Sequence, residues 1–329
     1  MHPVRFGVFI LPDSIAAAQA AAVKAEQQGF YSVSVNDHFY SPLGNAQSPQ
    51  LECFTALTAM ACVTQRIRLV PAVAAMSFRN PAMLAKIMTC VDLASNGRFT
   101  CGLGAGWQPT EYHAHDYPFP STPVRLEQLA EGLEICKAMW TQDEPTFTGK
   151  HFRIENAYNN PRGVQKPHPP IMLGGSGTKL LKIAAREASI INLIPATGNG
   201  KDFVNDPVAT VKFDMPTLKS RIDLLHQFMR EEGRDPGEME IGGLLLLGVS
   251  RDPNDPGLRA LATQLGFPDY ATAQASPVAI LGTPEEARAE LQKRVRETGM
   301  TYYIFVASSE ESQDLFVEEV MPAFANVQG

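Results

Sequence analysis

The sequence predicts an α/β protein of the (β/α)8 TIM-barrel class, and three observations carry that expectation. Eight short apolar runs alternate with helix-patterned segments along the chain, and such alternation implies parallel strands joined by right-handed crossovers. A length of 329 residues suits one barrel with loop insertions, residues 1–329 as a single domain. An open doubly wound sheet would carry GxGxxG in its first strand–helix turn, and none is present there.

The elements follow in order. Residues 4–11 read as the first strand. Pro12-Asp13-Ser14 is a turn and cap before an alanine-rich helix over 15–28, which Gly29 closes. Residues 31–35 form the second strand, with Asn36-Asp37-His38 at its carboxyl end. A polar segment with Pro42, Gly44 and Pro49 precedes a helix over 52–64. Residues 66–111 organise the chain: a strand ending at Val73, a helix over 81–93, and a strand over 99–103 that runs into Gly102, Gly104 and Gly106. Those glycines place bare backbone where a flat ligand can approach. An irregular aromatic segment, 112–123, leads to a helix over 124–141.

Residues 142–170 interrupt the rhythm as an insertion. Within them 146–154 reads as a hairpin turning at Gly149, either a lid over a site or a passive surface hairpin. Then come a strand over 171–173, Gly174-Gly175-Ser176-Gly177, and a helix to about 187. A strand over 189–194, a polar loop over 196–212, a helix over 215–232 and a strand over 240–249 follow. The chain closes with a helix over 256–266, a loop over 267–283, a helix over 284–298, a strand over 302–306 and a helix over 311–325.

Composition narrows the function. Hydrophobic content of 44% and charged content of 19% describe a globular chain with a sizeable core. A net charge of −7 argues against nucleic acid and against a polybasic membrane contact. No apolar stretch approaches spanning length and no signal core follows the first residues, so a cytoplasmic protein is expected. The five cysteines are scattered and form no CxxC, which reads as reduced thiols rather than disulfides or a metal site. No HxxxH pair or GxSxG elbow is present, so neither a metal nor hydrolase chemistry is expected.

Two constellations could carry chemistry. A His beside a carboxylate at a strand's carboxyl end, Asp37-His38, is a candidate acid or base; the bland alternative is a cap in a polar loop. Gly174-Gly175-Ser176-Gly177 between a strand and a helix suits a phosphate, because amide N–H groups and the positive helix end converge there. The alternative is a tight turn that needs glycine.

Taken jointly, Asn36-Asp37-His38, Arg79-Asn80-Pro81, Ser95-Asn96-Gly97-Arg98, Gly102 to Trp107 with Glu111, and Ile171-Met172-Leu173 running into Gly174–Gly177 resemble the bacterial luciferase-like monooxygenase superfamily. Within it the chain looks like the branch that uses the deazaflavin coenzyme F-420, with FMN as the alternative cofactor. The resemblance implies an oxidoreductase acting on a small molecule, and a homodimer. The helices over 54–63 and 83–93 are candidates for the dimer contact. Asp37 falls near the reactive face of the cofactor ring, with His38 as candidate proton donor. A non-proline cis peptide is implied at Ala72–Val73, behind the ring. Ala75, Ala105 and Gly106 fall along the ring, Thr110 at a polar contact, and Gly174, Gly175, Ser176 and Gly177 at the cofactor's phosphate end. Deazaflavin-dependent sugar-phosphate dehydrogenases of the family carry a catalytic Glu where this chain has Trp107. That departure favours an apolar or aromatic substrate over a phosphorylated sugar.

Overall fold

The computed structural model describes residues 2–41, 45–198 and 206–325. Residues 42–44 of the expected polar segment and 199–205 of the expected 196–212 loop lie outside the described residues. The chain divides into two compact units, Ile10–Gln27 with Ser32–Gly174, and Met1–Phe9 with Gln28–Tyr31 and Gly175–Gly329.

The unit that contains residues 32–174 holds the second to fifth expected strands. Ser32–Val35 pairs in parallel with Arg68–Pro71, Val33 opposite Leu69 and Val35 opposite Pro71. The expected strand ending at Val73 is broken: its continuation, Ala74–Ala75, pairs instead with Leu103 and Gly104 of the Cys101–Gly104 strand. That strand in turn pairs with Ile171–Gly174. Gly102 is obligatory here, since a Cβ would lie 1.9 Å from the Pro71 carbonyl oxygen. The helices Ile15–Gln27, Cys53–Ala61, Pro81–Ala94 and Thr122–Thr141 pack one against the next. Their contacts follow from sequence pattern: Ala18, Ala22 and Ala25 bury one face of the first helix at i, i+4 and i+7. Arg98 supplies donors to the Ala61, Thr64 and Ile67 carbonyls, at and just beyond the end of Cys53–Ala61.

One expectation changes within this unit and one holds. The aromatic segment 112–123 is not wholly irregular, because Pro109 starts a short helix, Pro109–Ala114. The hairpin forms, Phe147–Thr148 against Arg153–Ile154. It is fastened to the Thr122–Thr141 helix by Glu131, whose carboxylate accepts the N–H groups of Lys150, His151 and Phe152.

In the other unit Arg5–Phe9, Met300–Ala307, Glu240–Val249 and Ile190–Asn192 are neighbouring parallel strands. Phe6, Phe305, Phe316 and Phe324 form its aromatic core. The expected loop over 267–283 instead holds a helix, Tyr270–Ala275, and a strand, Ala279–Gly282. Glu240–Val249 is ten residues long and Ile190–Asn192 covers only its start. Ala279–Gly282 pairs with its far half, Leu246 opposite Ala279. Fully buried Arg294 holds the turn before it through the Ser276, Pro277 and Ala279 carbonyls. The expected 196–212 loop ends in a helix, Pro207–Lys212, capped by Asp206. The last helix is not uniform: Glu310–Leu315 gives way to a wide π turn and then a tight 3-10 turn ending at Phe324. That change of winding brings Phe316 and Phe324 both edge-on to Phe6.

Candidate active site

Asp37 leaves the second strand pointing inward and is 5% exposed. Its Oδ2 accepts the Ala75 N–H at 3.0 Å and one Arg79 nitrogen at 2.7 Å, and its Oδ1 accepts the other at 2.9 Å. Arg79 also donates to Glu52 and lies 4.7 Å over the Phe54 ring. Burial opposes the guanidinium charge, but the bonds to Asp37 and Glu52 outweigh it and raise the Arg79 pKa. Asp37 thus forms a two-pronged ion pair with Arg79 and, through the separate Ala75 N–H bond, ties the second strand's end to Ala75.

His38 does not use Asp37. Its Nδ1 lies 2.7 Å from Oε1 of Glu111, a side chain with no exposure. The second carboxylate oxygen, Oε2, accepts the Phe39 N–H at 3.1 Å. A carboxylate can only accept, so Nδ1 carries the proton and Nε2 is the remaining exchangeable edge. No described residue bonds to Nε2. The indole of Trp107 meets the imidazole edge-to-face, with centroids 5.4 Å apart at 75°. Glu111 is absent from the roles read from sequence. Its signal was a carboxylate just past the Gly102–Gly106 run, 73 residues away from the His it holds.

The backbone around this group is bare for steric reasons. The Ala72–Val73 peptide is cis. A Cβ at Gly104 would lie 2.8 Å from Val73 Cγ2, and one at Gly174 would lie 3.0 Å from Val73 Cγ1. Gly106 sits at φ +75°, and a Cβ there would meet the Tyr112 hydroxyl at 1.9 Å. That hydroxyl is 2.5 Å from Ser77 Oγ. Burial pushes the Tyr112 phenol up to about 12, against the partial relief of the Ser77 bond. Ala75 is buried, whereas Ala72, Val73 and Ala105 are half-buried. Thr110 is exposed and accepts the Tyr40 hydroxyl at 2.7 Å.

Gly175 takes φ +132° and donates its N–H to the Asn192 carbonyl at 2.9 Å. Ser176 is buried and donates to the Ile194 carbonyl. Gly177 precedes the helix Thr178–Glu187, and no side chain caps that helix. A Cβ at Gly177 would meet nothing within 4 Å, so packing does not demand glycine there. The buried Asn192 Nδ2 has no partner among the described residues. Uncapped amides and an unspent amide donor suit a phosphate.

These features can be set beside known proteins. The family model for luciferase-like monooxygenases matches residues 2–202, more than half of the chain. The chain belongs to this family. An uncharacterized protein of Mycobacterium tuberculosis is 33% identical over 202 residues, 56% of this chain and 70% of its own. An F420-dependent glucose-6-phosphate dehydrogenase of Kineococcus radiotolerans is 26% identical over 257 residues, 77% of this chain and 70% of its own. An FMNH(2)-dependent dimethylsulfone monooxygenase of Pseudomonas putida is 28% identical over 162 residues, 49% of this chain and 44% of its own. Among solved structures, an F420-dependent secondary alcohol dehydrogenase in complex with an F420-acetone adduct superposes with a TM-score of 0.80. It is 21% identical and is matched over 98% of this chain and 100% of its own. The fold of this luciferase-like protein is therefore the (β/α)8 TIM barrel, and the protein is an enzyme of the oxidoreductase class.

Proposed function

We propose that this luciferase-like protein is a coenzyme F-420-dependent oxidoreductase that transfers a hydride to or from a small organic substrate bearing a carbonyl, imine or activated alkene. One observation carries the reading: His38 is held at Nδ1 by buried Glu111 and keeps Nε2 unspent beside bare strand ends. The F420-dependent relative and structural neighbour support the choice of cofactor. The fit holds on the residues themselves: glycine backbone suits a flat ring, and the uncapped amides suit a phosphate.

When bound, the deazaflavin supplies two-electron hydride chemistry at its central ring carbon. The chain's residues orient and move protons. Ala72, Val73, Ala75, Ala105 and Gly106 present backbone to the ring, and Thr110 offers a polar contact. Gly174, Gly175, Ser176 and Gly177 receive the phosphate end. Asp37 anchors the ring-facing strand end at Ala75, with three N–H donors on its carboxylate, beside the proton-transferring His38. Protonated His38 donates from Nε2 to the substrate oxygen during reduction, and neutral His38 accepts at Nε2 in the reverse direction. Such help is worth about 10²–10⁴ in rate.

The second reading, an FMN-dependent monooxygenase using oxygen, is favoured by the Pseudomonas putida relative. Titration of the purified protein with coenzyme F-420 and with FMN, followed by fluorescence, separates the two. The expected result is saturable binding of F-420 alone; binding of FMN alone, with oxygen consumed in the presence of its reduced form, overturns the proposal.

We also propose a cytoplasmic homodimer. Exposed Val63, Met83 and Leu93, on or beside the helices Cys53–Ala61 and Pro81–Ala94, supply apolar contact surface. No helix among the described residues is long and apolar enough to cross a membrane. Light scattering at micromolar concentration should give twice the chain mass.

A further inference from the structure

The group around His38 contains charges, and each is already paired. Arg79, its cation, is committed to Asp37 and Glu52. Asp37 is committed to Arg79 and Ala75, and Glu111 to His38 and Phe39. Trp107 is different. Its ring stands edge-to-face against the imidazole, it is half-buried, and its indole N–H has no partner among the described residues. Trp107 therefore brings two things to the imidazole that carries the exchangeable Nε2: a wide apolar face and one unspent hydrogen-bond donor.

We propose that Trp107 is the specificity-determining residue of this site, selecting an uncharged alcohol or ketone with a flat apolar body, an aryl group above all, next to the reacting carbon. The inference rests on the proposed role of His38. An aryl group buries its face against the indole. In this proposal the adjoining oxygen bonds to Nε2 and accepts from the indole N–H. A sugar phosphate gains nothing at that face, and no uncommitted cation is present in the group to balance its charge. For 1-phenylethanol the chemistry balances. The hydroxyl proton passes to neutral His38 Nε2. The C–H bond breaks with its electron pair, which leaves as a hydride to oxidised coenzyme F-420. The C=O bond of acetophenone forms, so the alcohol is oxidised and the cofactor reduced.

Two measurements test this. The first uses F-420-loaded enzyme with 1-phenylethanol and with glucose 6-phosphate. We expect 1-phenylethanol to have the higher kcat/KM. Trp107→Ala should lower it by about 10-fold or more, mainly through KM, with F-420 affinity unchanged; Trp107→Phe should recover part of the loss. The second needs no turnover. The chain has two tryptophans, so protein carrying 5-fluorotryptophan gives two ¹⁹F lines, assigned with Trp107→Phe. Benzamide, an unreactive aryl amide, should shift the Trp107 line saturably, and glucose 6-phosphate should leave it in place. Higher kcat/KM for glucose 6-phosphate, kcat/KM for 1-phenylethanol unaffected by Trp107→Ala, or a Trp107 line that benzamide does not move would each overturn the proposal. Failure to bind F-420 would instead remove the cofactor reading, and the ¹⁹F result would still decide the role of Trp107.

Discussion

Changing Glu111 to Gln replaces one carboxylate oxygen by an amino group and removes a charge with almost no change of volume, in a side chain with no solvent exposure. The carboxylate accepts from His38 Nδ1 at 2.7 Å and from the Phe39 N–H at 3.1 Å. A glutamine has one acceptor and one donor to serve those two donors. With its oxygen on Phe39, its amino group faces Nδ1; neutral imidazole must then carry its proton on Nε2 and cannot accept there. With its oxygen on Nδ1, the amino group meets the Phe39 N–H, donor against donor. Either way a charge-assisted bond to the imidazolium is lost, worth about 1.5–3 kcal/mol. Carried into the barrier, that is a loss of about 10- to 150-fold in turnover. The assay is single turnover at saturating F-420, with cofactor affinity read separately by fluorescence and expected to be unchanged. Imidazole ¹⁵N NMR should report Nδ1–H in the wild type and a changed tautomer distribution in Glu111→Gln. A variant that turns over within about twofold of wild type and keeps the Nδ1–H tautomer would refute the reasoning.

Other expectations follow from the same geometry. His38→Ala should lower turnover by about 10²–10⁴ with F-420 affinity nearly unchanged, whereas Gly175→Leu, at φ +132° and against Leu180, should weaken cofactor binding itself; fluorescence titration reads both. Arg79→Met strands Asp37 as a buried carboxylate, and urea denaturation should show a loss of about 3–5 kcal/mol. Gly106→Ala should cost about 1–3 kcal/mol, from its φ of +75° and its collision with the Tyr112 hydroxyl; the loss should shrink in a Tyr112→Phe background, and an additive double-mutant cycle would contradict the contact. Burial works against the Glu26 charge, but the N–H groups of Gln65, Arg66 and Ile67 hold its pKa below the usual 4.5. A depressed folded value stabilises above the unfolded pKa and is lost as pH falls through it. Urea midpoints of Glu26→Gln should therefore fall less than those of wild type between about pH 5 and pH 3.

Much of the fold was legible because periodicity and punctuation agree in this chain. Alanines at i, i+4 and i+7, proline at helix starts and glycine at helix ends mark most elements within a few residues. The Ala279–Gly282 strand escaped because four apolar residues between Pro277 and Gly282 have no period of their own. Only the uncovered far half of Glu240–Val249 makes them a strand. Pro207–Lys212 and Pro109–Ala114 are single short turns whose Asp-Pro and Gln-Pro starts look like loop punctuation. For the site, position at a strand end pointed to Asp37 and His38, and the Ala72–Val73 cis peptide was expected from the resemblance. The pairing was not legible. Asp37 and His38 are adjacent in sequence, yet successive residues leave a strand end in opposite directions. Asp37 turns to Arg79, and His38 turns to a carboxylate on the short helix Pro109–Ala114.

Val73 has a consequence for how this chain can drift. Its two methyl groups occupy the space where side chains at Gly104 and Gly174 would begin. The three positions share one fixed volume, so a larger residue at either glycine first requires a smaller one at 73. Among relatives, the size of residue 73 should therefore run inversely to the sizes at 104 and 174. A library randomised at all three positions should return survivors along that diagonal, and saturating either glycine alone should return almost none.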